Sequence, residues 1–127
     1  MKGVALLRPV DAVDERPTRR IDVAQRLYAE RRRRDCAFGE LGRDFRDPAW
    51  DIALDLYVAG SEGRTVSASS ASIASGTPMT TGLRCLERMV RTGVVSRSGD
   101  PTDARRRLVA LTGDARRRMD RYLDGVD

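Results

Sequence analysis

The side chains available for chemistry in this chain are unlike those of most enzymes. There is no histidine, and lysine occurs once, as Lys2. Histidine is the commonest general base, so its absence excludes Ser-His and Cys-His nucleophile pairs. No Cys/His spacing suits zinc, and no glycine-rich loop suits a phosphate. We therefore predict a protein that is not an enzyme and that uses no metal and no cofactor.

Hydroxyl and guanidinium groups are concentrated between Gly76 and Gly93, a stretch that predicts a helix. Thr77 is its predicted N-cap, with Pro78 at the first helical position and Gly93 at the end. At about 100° per residue, one face is apolar or small. That face carries Met79, Gly82, Leu83, Leu86, Met89 and Val90. The opposite face, which has no carboxylate, carries Thr77, Thr80, Thr81, Arg84, Arg88 and Arg91. Such a face suits base edges and phosphates, whereas an ordinary solvated face would carry Glu and Lys together.

The segment before this helix predicts the first helix of a helix-turn-helix. It covers Ser67–Ser75 and is poor in large apolar residues, so Ile73 is expected to supply most of its buried surface. Ser72 stands four residues before the turn glycine Gly76, where such motifs usually have a small residue. Gly82 should weaken the second helix by about 1 kcal/mol relative to alanine.

Two short β-prone runs follow the second helix and predict a β-hairpin. The runs are Val94–Ser98 and Arg107–Thr112, and residues 99–106 between them are rich in glycine, proline and aspartate. This composition predicts a hairpin with a long loop. A hairpin directly after such a helix is a wing, here at about residues 94–112.

Several segments of this region resemble the multiple-antibiotic-resistance regulator (MarR) family. They are Leu86–Met89, Gly93–Arg97, Asp100–Arg105 and Leu108–Thr112, within a resemblance that covers roughly residues 48–123. The most specific segment, Asp103-Ala104-Arg105, matches the family's Asp-x-Arg wing motif before a strand ending in Leu-Thr. The resemblance implies a mainly α fold with a small β-hairpin, in which a winged helix-turn-helix is flanked by N- and C-terminal helices.

The same resemblance implies a transcriptional regulator that binds double-stranded DNA sequence-specifically and dimerises through its terminal helices. Its recognition helix would enter the major groove, where Arg84 should meet guanine. Its wing would enter the minor groove through Arg105, with Asp103 holding the guanidinium. The predicted DNA-binding residues are Thr77, Thr80, Thr81, Arg84, Arg88, Arg97, Asp103, Arg105 and Arg106.

The distribution of charge agrees with this interpretation. The chain has 24 basic and 19 acidic residues, a net charge of +5. Residues 66–118 contain ten arginines and four acids, whereas residues 36–65 contain three arginines and six acids. The positive field therefore lies on the winged-helix half, as nucleic-acid binding requires. The alternative function is a protein-interaction module whose basic face binds an acidic protein partner.

A redox-controlled regulator is a further hypothesis. Cys85 lies beside Arg84 and Arg88, whose charges could lower the pKa of its thiol. A small thiol flanking the core explains the same residue without a switch. Two cysteines make no disulfide framework, and no segment reads as a signal peptide or a membrane span. We therefore expect a cytoplasmic protein that is associated with the nucleoid when bound to DNA.

The chain is predicted to consist of a flexible N-terminal tail, 1–17, and a single domain, 18–127, with its helix-turn-helix at about 67–92. A helix should run from about 18 to 38 and include the arginine run Arg31–Arg34. These arginines either contact phosphate, are solvated, or pair with the acidic helix that follows.

The acidic helix is predicted to begin after Asp47, an N-cap followed by Pro48, and it is apolar nearly all round. Its polar stripe consists of Asp47, Asp51 and Asp55. Capping and pairing with arginine explain this stripe better than a metal, which would need further loop oxygens. Trp50 is predicted as a core anchor, and Thr112 as the cap of a last helix ending near Leu123.

Overall fold

The computed structural model describes residues 13–41 and 46–127. The described residues form α1 (Arg16–Phe38), α2 (Pro48–Ser61), β1 (Val66–Ser67), α3 (Ala68–Ala74), α4 (Met79–Arg91), β2 (Val95–Asp100), β3 (Asp103–Leu111) and α5 (Gly113–Asp124). α1 begins two residues before the predicted position, because a proline in the first turn of a helix sacrifices no hydrogen bond. Residues 1–12 of the predicted tail and residues 42–45, between the first two predicted helices, lie outside the described residues.

Helix α2 forms the centre of the core. Asp47 caps it as predicted, because its Oδ1 accepts a hydrogen bond from the Trp50 amide at 3.2 Å. The side chains of α2 that are almost completely buried include Ile52, Leu54, Leu56 and Tyr57. Helices α1, α3 and α4 and strand β3 pack around α2. The apolar character of this segment therefore reflects neighbours on nearly every side.

Asp51 of α2 is fully buried beneath α1. Its carboxylate accepts hydrogen bonds from the guanidinium groups of Arg31 and Arg32. A buried carboxylate needs such partners, because it has lost its hydration. Of the alternatives for the arginine run, pairing with the acidic helix is confirmed for these two residues. Helix α1 also supports the end of α3, because the hydroxyl of its Tyr28 donates to the Ala74 carbonyl at 2.8 Å.

Helices α3 and α4 form the predicted helix-turn-helix, with one correction in the turn. The N-cap of α4 is Pro78, whereas Thr77 was predicted. The Thr77 hydroxyl makes no capping hydrogen bond to α4 and lies 2.7 Å from the Ser75 hydroxyl, inside the turn. The Ser75 hydroxyl donates in turn to the Ser72 carbonyl, so Thr77 is the donor of this pair. The turn is therefore closed by hydroxyl contacts within itself.

The two helices approach each other closely at Gly82. A Cβ on this residue would lie 2.2 Å from the Ser72 Oγ and 2.9 Å from the Ser72 carbonyl oxygen. Ser72 is fully buried and donates to the Met79 carbonyl at 2.8 Å, so moving its side chain would break that bond. The packing of α4 on α3 therefore requires glycine at position 82.

This contact determines which face of α4 is buried. The buried residues of α4 are Gly82, Cys85, Leu86 and Met89. The prediction that Met79 and Leu83 face the core was wrong, because they are 41% and 36% exposed. Cys85, which was expected to flank the core, is 2% exposed and lies within it. The prediction for Ile73 of α3 was also wrong: it is 68% exposed, and the buried residues of α3 are the small Ala71 and Ser72.

The wing is a hairpin within a three-stranded antiparallel sheet of order β1-β3-β2. Its strands extend to Asp100 and Asp103, and only Pro101 and Thr102 join them, so the predicted long loop over 99–106 was wrong. The Asp100 carboxylate accepts hydrogen bonds from the amide and the hydroxyl of Thr102, both at 2.8 Å, and these bonds hold the tight turn. The two-residue strand β1, which was not predicted, pairs with β3.

Helices α1 and α5 pack together, so the two ends of the domain lie side by side. The Arg20 guanidinium donates to both carboxylate oxygens of Asp124, at 2.8 and 2.9 Å. Thr112 caps α5 as predicted, because its Oγ1 accepts a hydrogen bond from the Ala115 amide at 3.2 Å. Trp50 is only partly buried at the border of the core, where its ring meets Tyr122 edge-on with centroids 5.2 Å apart.

Within the described residues, no helix is both long and apolar enough to span a membrane. The same residues hold no group of three or more His, Cys, Asp or Glu side chains that could bind a metal ion. The three carboxylates of the acidic stripe of α2 have different surroundings. Asp47 caps the helix, Asp51 binds two arginines, and burial raises the pKa of Asp55.

Candidate nucleic-acid interface

The face of α4 that points away from the core carries exposed threonine and arginine side chains. This outer face consists of Thr80, Arg84, Glu87 and Arg91, and one flank carries Thr81 and Arg88. The prediction of a face without carboxylates was wrong, because Glu87 is exposed in the middle of it. Its negative charge lies about one turn beyond Arg84 and about two turns beyond Thr80, so the N-terminal half of the face remains free of acid.

Arg84 occupies the position on this face that is best suited to reach a ligand. It is exposed and makes no hydrogen bond or ion pair with any described residue. A guanidinium that has no intramolecular partner can offer its planar set of donors to an acceptor pair such as guanine O6 and N7.

Two other predicted residues near α4 have neighbours that limit them. Thr77 is half-buried, and its hydroxyl is engaged by Ser75. Arg88 lies on the flank beside Cys85, along an apolar cleft between α2, α4 and α5. Burial raises the pKa of the Cys85 thiol, and the Arg88 charge offsets only part of that rise. The redox hypothesis needed a lowered pKa, so the local chemistry favours a protonated core thiol.

The wing carries the remaining predicted residues. The Arg105 side chain is 94% exposed, and the Asp103 Oδ1 accepts a hydrogen bond from the Arg105 amide at 3.0 Å and lies 3.8 Å from its Nε. Arg106 lies on the other face of β3, with its Nη1 3.3 Å from the Asp100 carboxylate. Arg97 is exposed on β2. The wing therefore presents an almost fully exposed guanidinium near its tip, that of Arg105, and a half-exposed one, that of Arg106, which is paired with Asp100.

Arg107 is a basic wing residue that the sequence analysis did not select. Strand alternation places it on the same face of β3 as Arg105. It is exposed, and among the residues that the structure describes its guanidinium hydrogen-bonds only to the backbone carbonyls of Ala104 and Arg106, at 3.3 and 3.5 Å. The period of two along β3 is the signal that could have identified it, but the predicted loop boundary at residue 106 concealed that period.

Helix α4 and the wing are joined by only three residues, 92–94. Gly93, the second of them, has a φ of +83°, and the Val94 amide donates to the Met89 carbonyl at 2.9 Å. This pair of features forms a helix-terminating motif that turns the chain sharply. β2 then begins at Val95. The exposed arginines of the helix and those of the hairpin consequently belong to one continuous structural unit.

Comparison with known proteins gives a result at the level of the fold. No protein-family model and no curated protein matches the sequence. A solved structure of a probable transcriptional regulator from Pseudomonas aeruginosa is 23% identical and has a TM-score of 0.47, covering 60% of this chain and 58% of its own. A mutant of MepR from a multidrug-resistant S. aureus clinical isolate is 17% identical with a TM-score of 0.49, covering 61% of this chain and 56% of its own.

The PcaV transcriptional regulator from Streptomyces coelicolor, solved in complex with its natural ligand, is 21% identical with a TM-score of 0.50. The alignment covers 76% of this chain and 67% of that protein, so this chain is matched to only part of each of the three structures. At such identity the likeness concerns the fold. The chain therefore has a mainly helical, MarR-like winged helix-turn-helix fold, as its wing motif predicts.

Proposed function

We propose that this protein is a transcriptional regulator of the MarR type that binds double-stranded DNA sequence-specifically as a homodimer. Helix α4 lies in the major groove, and the wing reaches into the flanking minor groove. The observation that supports this most directly is the exposed outer face of α4, where Thr80 and the unpaired Arg84 stand together near the helix N-terminus. The N-terminal residues of a recognition helix are the ones that contact base edges.

The wing supports the same proposal through a different kind of contact. Arg105 is 94% exposed at its side chain, and Asp103 orients its base. A narrow minor groove has an enhanced negative potential that attracts an inserted arginine. Because the code of that groove is degenerate, Arg105 contributes affinity and a preference for groove width rather than base identity. Of the remaining predicted contacts, Thr81, Arg88, Arg97 and Arg106 bind mainly phosphate, whereas the Thr77 hydroxyl already donates to Ser75 and supports the turn.

Dimerisation through the terminal helices completes the proposed assembly. Large apolar side chains are exposed on the terminal helices or next to them: Phe38, Leu41 and Tyr122. A second copy could bury part of this surface, and a two-fold axis would present two α4 helices to a pseudo-palindromic site. A regulator of this kind would act in the cytoplasm, associated with the nucleoid.

The first test is the salt dependence of binding to a duplex selected by the purified protein from a random library. If about six phosphates are neutralised, affinity should fall by roughly 10³ or more between about 50 and 200 mM salt. Polyglutamate serves as the competing ligand, because an acidic-protein module should bind it as well as it binds DNA. Absence of binding to any duplex, or equal competition by polyglutamate, would contradict the proposed function.

A further inference from the structure

Three large apolar side chains are exposed where α3 meets the start of α4. Ile73 is 68% exposed, Met79 41% and Leu83 36%. We call these three residues the α3–α4 apolar patch. A single exposed apolar residue is ordinary on a protein surface, but several in one place indicate a contact surface.

The backbone brings the three residues of the patch to one place. Met79 and Leu83 are four residues apart and therefore lie on the same side of α4. The Ser72 hydroxyl donates to the Met79 carbonyl at 2.8 Å, which holds the segment next to Ile73 against the first turn of α4. The patch thus lies at the N-terminal end of the helix, beside the outer face that carries Thr80 and Arg84.

The packing of α4 against α3 leaves the patch exposed. Folding alone does not require large apolar side chains at the three positions of the patch. The close approach at Gly82 directs Cys85, Leu86 and Met89 into the core and leaves Met79 and Leu83 on a flank. Smaller or polar residues would serve equally well on a flank that only faced water. The side chains that are present are therefore better explained by a ligand with apolar groups.

The charge around the patch restricts the nature of that ligand. The first two turns of α4 contain no acidic residue, and Arg84 follows Leu83 directly. The surrounding half of the chain, residues 66–118, has ten arginines against four acids. A complementary ligand must present apolar groups within a strongly negative surface. The major groove of DNA has this combination, because the C5-methyl groups of thymine lie between two phosphate backbones.

We propose that the α3–α4 apolar patch reads thymine methyl groups in the major groove, next to the base contacted by Arg84. This proposal rests on the proposed DNA-binding function, and it specifies which base is preferred at the positions of the DNA site that face the patch. Leu83 and Met79 contact the methyls directly, and Ile73 extends the apolar surface from α3. Burial of one methyl-sized group changes a binding constant about four-fold, so each methyl group in contact with the patch should contribute a factor of that size.

The test removes the methyl groups without changing base pairing. The probes are a duplex selected from a random library and the same duplex with every thymine replaced by uracil, which lacks the C5-methyl. Wild-type protein should bind the uracil duplex about four-fold more weakly if the patch touches one methyl group, and about 16-fold more weakly if it touches two. Met79→Ala and Leu83→Ala should each weaken binding to the thymine duplex and reduce the difference between the two duplexes.

A matched control is Val13→Ala, which shortens another apolar side chain, 80% exposed and before α1. It should keep the full difference between thymine and uracil. Far-ultraviolet circular dichroism and thermal melting of each variant distinguish a folding defect from a weakened interface with DNA. Equal binding of wild type to both duplexes would overturn this proposal while leaving the proposed function intact. So would an equal decrease in affinity for both duplexes in the Met79 and Leu83 variants. Failure to bind any duplex would overturn both.

Discussion

Arg84 and Arg105 carry the same charge, but their surroundings suit them to different contacts. Arg84 stands on a regular helix and has no partner among the described residues. Arg105 stands near the tip of a hairpin, with Asp103 beside its backbone amide and its Nε. A helix fixes the position of a side chain well enough for a two-bond contact with one base, whereas a projecting wing suits a groove that offers little base identity.

The two arginines should therefore differ when each is replaced by alanine. Arg84→Ala should relax the preference at one base pair of each half-site, because a bidentate contact to guanine provides about 1–3 kcal/mol of discrimination. Arg105→Ala should weaken binding to the selected site and to a scrambled duplex alike. The measurement is a pair of binding titrations for each variant at fixed salt.

Arg16→Ala is the matched control for these titrations. It removes one exposed arginine from the start of α1, where its partner is Asp14 at 2.9 Å, and it should change both affinities only slightly. If Arg105→Ala behaves like this control on both duplexes, the wing makes no contact with DNA. If Arg84→Ala weakens binding to both duplexes equally, Arg84 binds phosphate and reads no base.

At the scale of single residues, the sequence predicted which side chains are basic but not which of them are engaged. Arg31 and Arg32 belong to a run of four arginines, yet both bind the buried Asp51. Arg106 is paired with Asp100, whereas its neighbour Arg105 is exposed. Such differences depend on partners from other elements or across a hairpin, and the pattern along the chain does not encode them.

The contact between α3 and α4 is the element-scale feature on which the exposed face depends. Gly82 permits it, and Ser72 contributes both a hydroxyl and a carbonyl to it. The sequence showed that Gly82 weakens the helix, but propensity describes an isolated helix and does not include a neighbouring one. The same contact turns Cys85 inward and Leu83 outward, which explains why the predicted core face of α4 was partly wrong.

Gly82→Ala should therefore destabilise the protein even though alanine favours the helix. The gain in helix propensity is about 1 kcal/mol, whereas overpacking costs about 1–3 kcal/mol, and the new Cβ would face backbone as well as a side chain. Urea unfolding should show a lower midpoint for this variant. Ser72→Ala in the same chain should restore the midpoint only in part, because the Ser72 carbonyl stays in place.

Gly113→Ala provides the control for the unfolding experiment. A Cβ on this residue, at the start of α5, meets only the flexible guanidinium of Arg117 at 3.3 Å. This variant should be neutral or slightly more stable than wild type. An equal gain in stability for Gly82→Ala would mean that the helices are not held together at this point.

Other elements differ in how far the sequence predicted them, for reasons of length and local signal. α2 was predicted because its cap Asp47 and its apolar run are both local features. β1 has two residues, too few for any periodicity, and it exists because β3 offers a free edge. The wing turn was predicted as too long because its Gly, Pro and Asp residues also occur in loops. In fact the Asp100 side chain closes the turn over Thr102.

At the scale of the whole molecule, the helix-turn-helix and the wing occupy a different part of the chain from the terminal helices α1 and α5. The Arg20 and Asp124 pair holds α1 against α5 within one chain, and the Tyr57 hydroxyl donates to Asp120 in the same region. α1 also contacts the turn region through Tyr28, so it connects the proposed dimer surface with the helix-turn-helix. A dimer formed at the terminal helices would therefore fix the separation of the two α4 helices.

This geometry predicts both the mass and the spacing preference of the assembly. Light scattering at micromolar concentration should give about twice the chain mass of 14.1 kDa for the free protein, and the mass of two chains plus one duplex when DNA is bound. Two recognition helices related by a two-fold axis reach half-sites about 10 base pairs apart, one turn of the duplex. Inserting about five base pairs between the half-sites should reduce affinity to that of one half-site, because one helix would then face the wrong side of the DNA. The control is an insertion of about ten base pairs, which returns both half-sites to the same side of the DNA. Any recovery of affinity with this longer insertion separates the effect of rotation from that of distance. A monomeric mass under both conditions, or affinity that ignores the five-base-pair insertion, would exclude a dimer with fixed recognition helices.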